Sequence, residues 1–134
     1  MENRPFRFKK KFLIPIFDAD VYLVVADNIA IERAEMDQLF GSSKKFIYDY
    51  DALCAYSGRG HFGLFFTPKS FNRGVIAHEL FHLTHRIMDW CGCNFDATHH
   101  EQGALLHQYL AELVANEFDR MKKRKTPQNE KENA

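Results

Sequence analysis

The residues best able to do chemistry in this chain are gathered in one stretch, GVIAHELFHLTHRIMDW, positions 74–90. His78, His82 and His85 fall within it, and Glu79 directly follows the first. On an α-helix, residues four apart stand one above the other and residues seven apart come nearly into line, so the three imidazoles share a face with Glu79 beside it. Two neutral imidazoles one turn apart can reach a single tetrahedral Zn2+ at about 2.0–2.1 Å, which leaves the neighbouring carboxylate free to act on a zinc-activated water. The flanking Val75, Ile76, Ala77, Leu80, Phe81, Leu83, Ile87 and Met88 predict burial on most sides of this helix. Buried imidazoles without a common partner would each cost about 1–3 kcal/mol of lost solvation, a cost that a shared metal removes.

A two-histidine zinc site needs a third protein ligand, and in one large class of zinc hydrolases that ligand is a Glu on a following helix. Glu101 opens the next predicted helix, with eighteen residues between it and His82, enough for a turn, a loop and an antiparallel return. In EQGALLHQYLAELVANEF, residues 101–118, the expected packing face is Leu105, Leu106, Tyr109, Leu110 and Leu113, with Glu101 at its edge. His99 and His100 compete with Glu101 for the third position. His107 lies about 240° around the helix from Glu101 and is expected to face solvent, while Glu112, about 16 Å along the axis, is too far away to share the ion. His85 is expected to be a packed neighbour of the site, and Tyr109 a core residue.

HELFH, residues 78–82, followed by HHEQGALLHQYLAEL, residues 99–113, resembles the zincin metallopeptidases, and among them the gluzincins. It is most similar to the very small members called minigluzincins and to uncharacterised metallopeptidase-like proteins of bacteriophages and prophages. The resemblance covers about Leu64 to Val114. It implies that His78, His82 and Glu101 hold one zinc ion and that Glu79 is the general base in hydrolysis of a peptide bond. It also implies a peptide or protein substrate lying along an edge strand before the active helix, here HFGLFFTP, residues 61–68. One departure concerns Leu105, which stands where many gluzincins carry an acidic residue that supports a ligand histidine. The metzincin pattern is disfavoured because positions 85 and 88 are His and Met. The reading from another class is a zincin-like metal-binding protein that acts in partner recognition without turnover. Glu79 argues for catalysis, since a purely structural site does not require it.

These residues need a scaffold, and 134 residues suit a single domain with a core of its own. We expect that domain over residues 1–123 and a disordered charged tail over 124–134. A composition 46% hydrophobic and 14% aromatic predicts a folded chain. Formal net charge is zero and the pI is about 7.1, so nothing global recruits nucleic acid or an anionic membrane. RMKKRK, residues 120–125, reads as a solvated helix end whose cations are favoured by the dipole. No apolar run approaches the roughly 20 residues that span a bilayer. Basic residues before Phe12–Phe17 superficially suggest a signal peptide, but Pro15, Asp18 and Asp20 argue for a strand instead. Cys54, Cys91 and Cys93 are odd in number and two are separated by a single residue, which points to a reducing, cytoplasmic setting.

Strands are predicted over 12–17 and 21–26, then a short helix between Asn28 and Gly41. A second hairpin follows, FIYDYDALCAYS and HFGLFFTP joined by GRG. The long helix should begin after Ser70–Asn72 and run to about Trp90, with Gly92 as terminator, and a last helix should run from His99 or His100 to Lys123. The expected fold is α+β and zincin-like: a small, mostly antiparallel sheet with an early helix, the active helix and a C-terminal helix.

Overall fold

The structure, a computed structural model, describes residues 6–15, 17–41 and 51–125. Among the described residues, four strands and four helices follow in the order β1 (Arg7–Ile14), β2 (Ala19–Ala26), α1 (Ile29–Glu35), α2 (Asp37–Phe40), β3 (Ala52–Tyr56), β4 (His61–Phe66), α3 (Arg73–Trp90) and α4 (His100–Lys125). The fold is α+β with a mixed sheet of order β1-β2-β4-β3. β1 with β2 and β3 with β4 are antiparallel, whereas β2 and β4 run parallel, with Val21 opposite Phe62 and Leu23 opposite Leu64.

This order corrects one expectation. HFGLFFTP does not supply an edge: β4 lies between β2 and β3, and among the described residues the edge beside it is β3. The physical reason is in the residues themselves. Phe62 through Phe66 are buried on both faces of the sheet, and a continuous apolar run suits an interior strand, where both faces are covered. β1, at the other edge, begins at Arg7 rather than near Phe12. Its Arg7, Lys9 and Lys11 are exposed while Phe8, Lys10 and Phe12 are half-buried, so the basic segment is strand with one wet face. Charge on that face also discourages pairing with another chain.

Two hydrophobic clusters clasp the sheet. On one face, Val21, Leu23, Val25, Phe62, Leu64 and Phe66 pack against Ile76, Leu80, Leu83 and Ile87 of α3 and Leu106, Leu110 and Val114 of α4. On the other, Val24, Ala55 and Phe65 meet Ile29, Met36 and Phe40 of the α1–α2 unit. The early helix is thus two pieces broken at Met36, capped at its start by Asn28, whose Oδ1 accepts from the amide of Ile31 at 3.1 Å. Gly41 closes it with φ 79°, a conformation open to glycine.

Asn72 caps α3, its Oδ1 accepting from the amide of Val75 at 3.0 Å. At the other end Gly92 has φ 76°, its amide donates to the Asp89 carbonyl, and the amide of Cys93 donates to Met88. This is the paired-bond terminator that glycine favours. Helix α4 extends to Lys125, two residues past the expected domain boundary; the rest of the expected tail, 126–134, lies outside the described residues, as does the start of the second hairpin, 46–50.

A candidate metal centre on α3

The buried stripe of α3, Ile76, Leu80, Leu83, Thr84, Ile87 and Met88, turns toward the sheet and α4. His78 and His82 lie on the opposite, open side, and Glu79 falls between the two faces. The His78 side chain is 68% exposed and that of Glu79 only 9%. The imidazoles therefore stand at the surface while the carboxylate is sunk into the wall below them.

The Nε2 atoms of His78 and His82 are 3.3 Å apart. Two nitrogens each bound at about 2.0–2.1 Å to one tetrahedral ion would be separated by about 3.3–3.4 Å. The pair therefore fits zinc as it stands, through the same nitrogen of each ring. Without metal, one ring can donate Nε2–H to the other; with metal, both Nε2 atoms must be unprotonated. Glu79 Oε1 lies 4.0 Å from His78 Nε2. Burial raises the Glu79 carboxyl above the usual carboxylate range, and the two imidazoles beside it act in the opposite direction.

These three residues line a cleft of 740 Å3 whose other wall is strand β3, from Ala52 to Tyr56. Cys54 sits in that wall. Its thiol is pushed up to about 12 by burial and by the Glu79 carboxylate, with Arg86 acting against both. A second, smaller cavity of 330 Å3 adjoins, bordered by His82, His85, Arg86, Asp89, Cys93 and Phe95.

Glu101 is not gathered with the histidine pair. Among the described residues, no group of three His, Cys, Asp or Glu side chains stands close enough to hold a metal ion. Glu101 is exposed in the first turn of α4, and the inward face of that helix is Gly103, Leu106, Leu110, Val114 and Glu117. Leu105 and Tyr109, expected inside, are 58% and 41% exposed. The face is rotated from the one expected, keeping Leu106 and Leu110: Gly103 lies so close to Phe95 that a Cβ would meet the ring at 2.8 Å, and Glu117 turns inward with its charge paired. Glu117 is held by Lys10 and Arg120, each at 2.7 Å.

The rotation also brings His107 inward. Its Nδ1 lies 2.8 Å from the Thr84 hydroxyl, so it bridges α4 to α3 rather than facing solvent. His85 is packed as expected, stacked on Phe95 with ring centroids 4.8 Å apart and planes at 22°. His99 has a sealed Nδ1 with no hydrogen-bond partner, 3.6 Å from Asp96. His100 is exposed at the first position of α4, and Glu112 is exposed beside Gln108.

No family model, curated protein or solved structure matches this chain. Two parts of the cleft lining are not singled out by the sequence reading, Arg86 and β3. Arg86 was legible by the same spacing that pairs the histidines, since it follows His82 by four residues. The role of β3 required the strand order, which the parallel pairing of β2 with β4 determines.

Proposed function

We propose that this chain is a small zinc-dependent metallopeptidase of gluzincin-like type. The observation that carries the reading is the 3.3 Å separation of the His78 and His82 Nε2 atoms beside the sunken Glu79 carboxylate. The fit extends to two ligands, and the proposal includes Glu101 as the third, ahead of His99 and His100. From the first turn of α4, Glu101 would have to turn toward α3 when metal binds.

When bound, zinc supplies a Lewis acid that polarises a peptide carbonyl and lowers the pKa of a water. The chain's residues do the rest. Glu79 takes the proton of the attacking water and passes it to the leaving amine. The β3 backbone offers an extended peptide a strand to pair with, which aligns the scissile bond along the cleft.

Among the described residues no helix is long and apolar enough to cross a membrane. Cys54, Cys91 and Cys93 are all free thiols, which supports the proposal of a reducing, cytoplasmic compartment. The partners proposed are peptides or proteins, not nucleic acid or lipid.

Glu79→Gln tests the reading. It keeps shape and hydrogen bonding but cannot accept a proton at neutral pH, so zinc content and fold should be kept and hydrolysis lost. Chelator-sensitive cleavage of a peptide library by wild type, absent in the variant, is the expected result; cleavage at the wild-type rate in the variant would refute the mechanism. A fully zinc-loaded wild type that cuts nothing while binding a partner would favour the rival reading, a metal-binding protein without turnover.

A further inference from the structure

Arg86 stands one turn beyond His82 on α3 and borders both the 740 Å3 cleft and the 330 Å3 cavity. Its guanidinium carbon lies 4.1 Å from the centroid of the Tyr56 ring, at the end of β3. Among the described residues it makes no ion pair, and its contact is with the Tyr56 ring. A guanidinium over a ring and without an ion pair among the described residues keeps N–H donors that suit a planar, bidentate acceptor. The other arginine on the cleft differs: Arg33 is satisfied by Asp37 at 2.9 Å and by the carbonyl of Phe40.

We propose that Arg86 is a carboxylate-binding residue that selects the substrate of this cleft. The proposal rests on the peptidase reading for the identity of that substrate, and it names its chemistry: a peptide that presents a carboxylate close to the bond acted on. Four residues of helix rise about 6 Å, and an extended chain advances about 3.3 Å per residue. A carboxylate at Arg86 therefore lies within about two residues of a carbonyl held at His78 and His82. Two sources share this chemistry, an acidic side chain inside a peptide and the α-carboxylate at its end.

The test uses the isotope-labelled full chain without zinc, so that it depends on neither metal nor turnover. The probes are N-acetyl-glutamic acid α-methylamide and N-acetyl-alanine, each against its neutral amide counterpart. The Arg86 Nε–H resonance and the Tyr56 ring should shift saturably with a carboxylate at concentrations at least tenfold below those needed for its amide. In Arg86→Gln the Tyr56 response should vanish. A lower midpoint for the glutamate probe assigns the site to acidic side chains, a lower midpoint for N-acetyl-alanine assigns it to chain ends, and equal midpoints assign it to both. Equal responses to carboxylate and amide, or none, would overturn the proposal, as would a response that survives in Arg86→Gln. Failure of the underlying reading looks different: zinc-loaded wild type would leave carboxylate-bearing peptides intact while Arg86 still bound them.

Discussion

The hydroxyl of Thr84 on α3 lies 2.8 Å from Nδ1 of His107 on α4 and 2.9 Å from the carbonyl oxygen of Leu80. A hydroxyl has one hydrogen to give. Both contacts are met when Thr84 donates to Leu80 and accepts from His107, which fixes His107 with its proton on Nδ1. Thr84→Val preserves volume and removes both bonds, leaving the Nδ1–H of His107 without its acceptor. We expect a loss of about 1–2 kcal/mol in denaturant unfolding with zinc stoichiometry unchanged. A stability equal to wild type would show that the helix pair does not depend on this bridge.

The proposed ligands separate from their neighbour by metal content. His78→Ala and His82→Ala should each abolish stoichiometric zinc measured by atomic emission, whereas His85→Ala should retain it, since that ring stacks on Phe95 instead. Full zinc retention in either of the first two variants removes the centre from α3.

For the third ligand, the comparison is among Glu101→Ala, His99→Ala and His100→Ala. Loss of a direct ligand should weaken zinc by more than the roughly 10–100-fold typical of a group that only supports one. Competition with a chromogenic chelator gives the ranking. Glu101 should stand out; a larger effect at His99 or His100 would reassign the position and end the gluzincin comparison.

Cys54 provides a pH-dependent prediction. Its pKa rises from 9.0 to about 12 in the folded protein, so near pH 8 its thiolate is about a thousandfold rarer than that of an unfolded cysteine and alkylation should slow accordingly. Because the folded value is the higher one, the neutral thiol's contribution to stability is fully present below pH 9 and is lost as pH rises toward 12. Mass spectrometry of the metal-free Cys91→Ser/Cys93→Ser protein with iodoacetamide checks the rate. Fast labelling at pH 8 without unfolding would mean that the β3 wall opens.

Much of this arrangement could be read from the chain. Asn72, the apolar stripe and Gly92 bound α3 because caps and glycine terminators act locally, and the histidine pair follows from helical spacing alone. The edge strand was misplaced because strand order depends on partners distant in sequence: β2 and β4 are neighbours although α1, α2 and β3 intervene. The run Phe62–Phe66 did carry a warning, since an edge strand with five consecutive buried residues would be unusual. The α4 face was misread for a different reason. Leucines at 105 and 106 are equally apolar, and only the inward turn of Gly103, His107 and Glu117 decides between them.

His78 and His82 belong to a single turn of a single helix, so their proximity requires no tertiary structure. The cost of starting a helix falls on its first turn, and an ion clipped between residues four apart would hold that turn even in an otherwise unstructured chain. The unfolded ensemble then competes for zinc, and the metal adds to stability only by the difference between its folded and unfolded affinities. That difference must come from the donor that local sequence cannot supply. If His78 and His82 are the first two ligands, zinc would be a nucleator of α3 first, and a clamp on the finished protein only once α4 supplied the proposed third ligand.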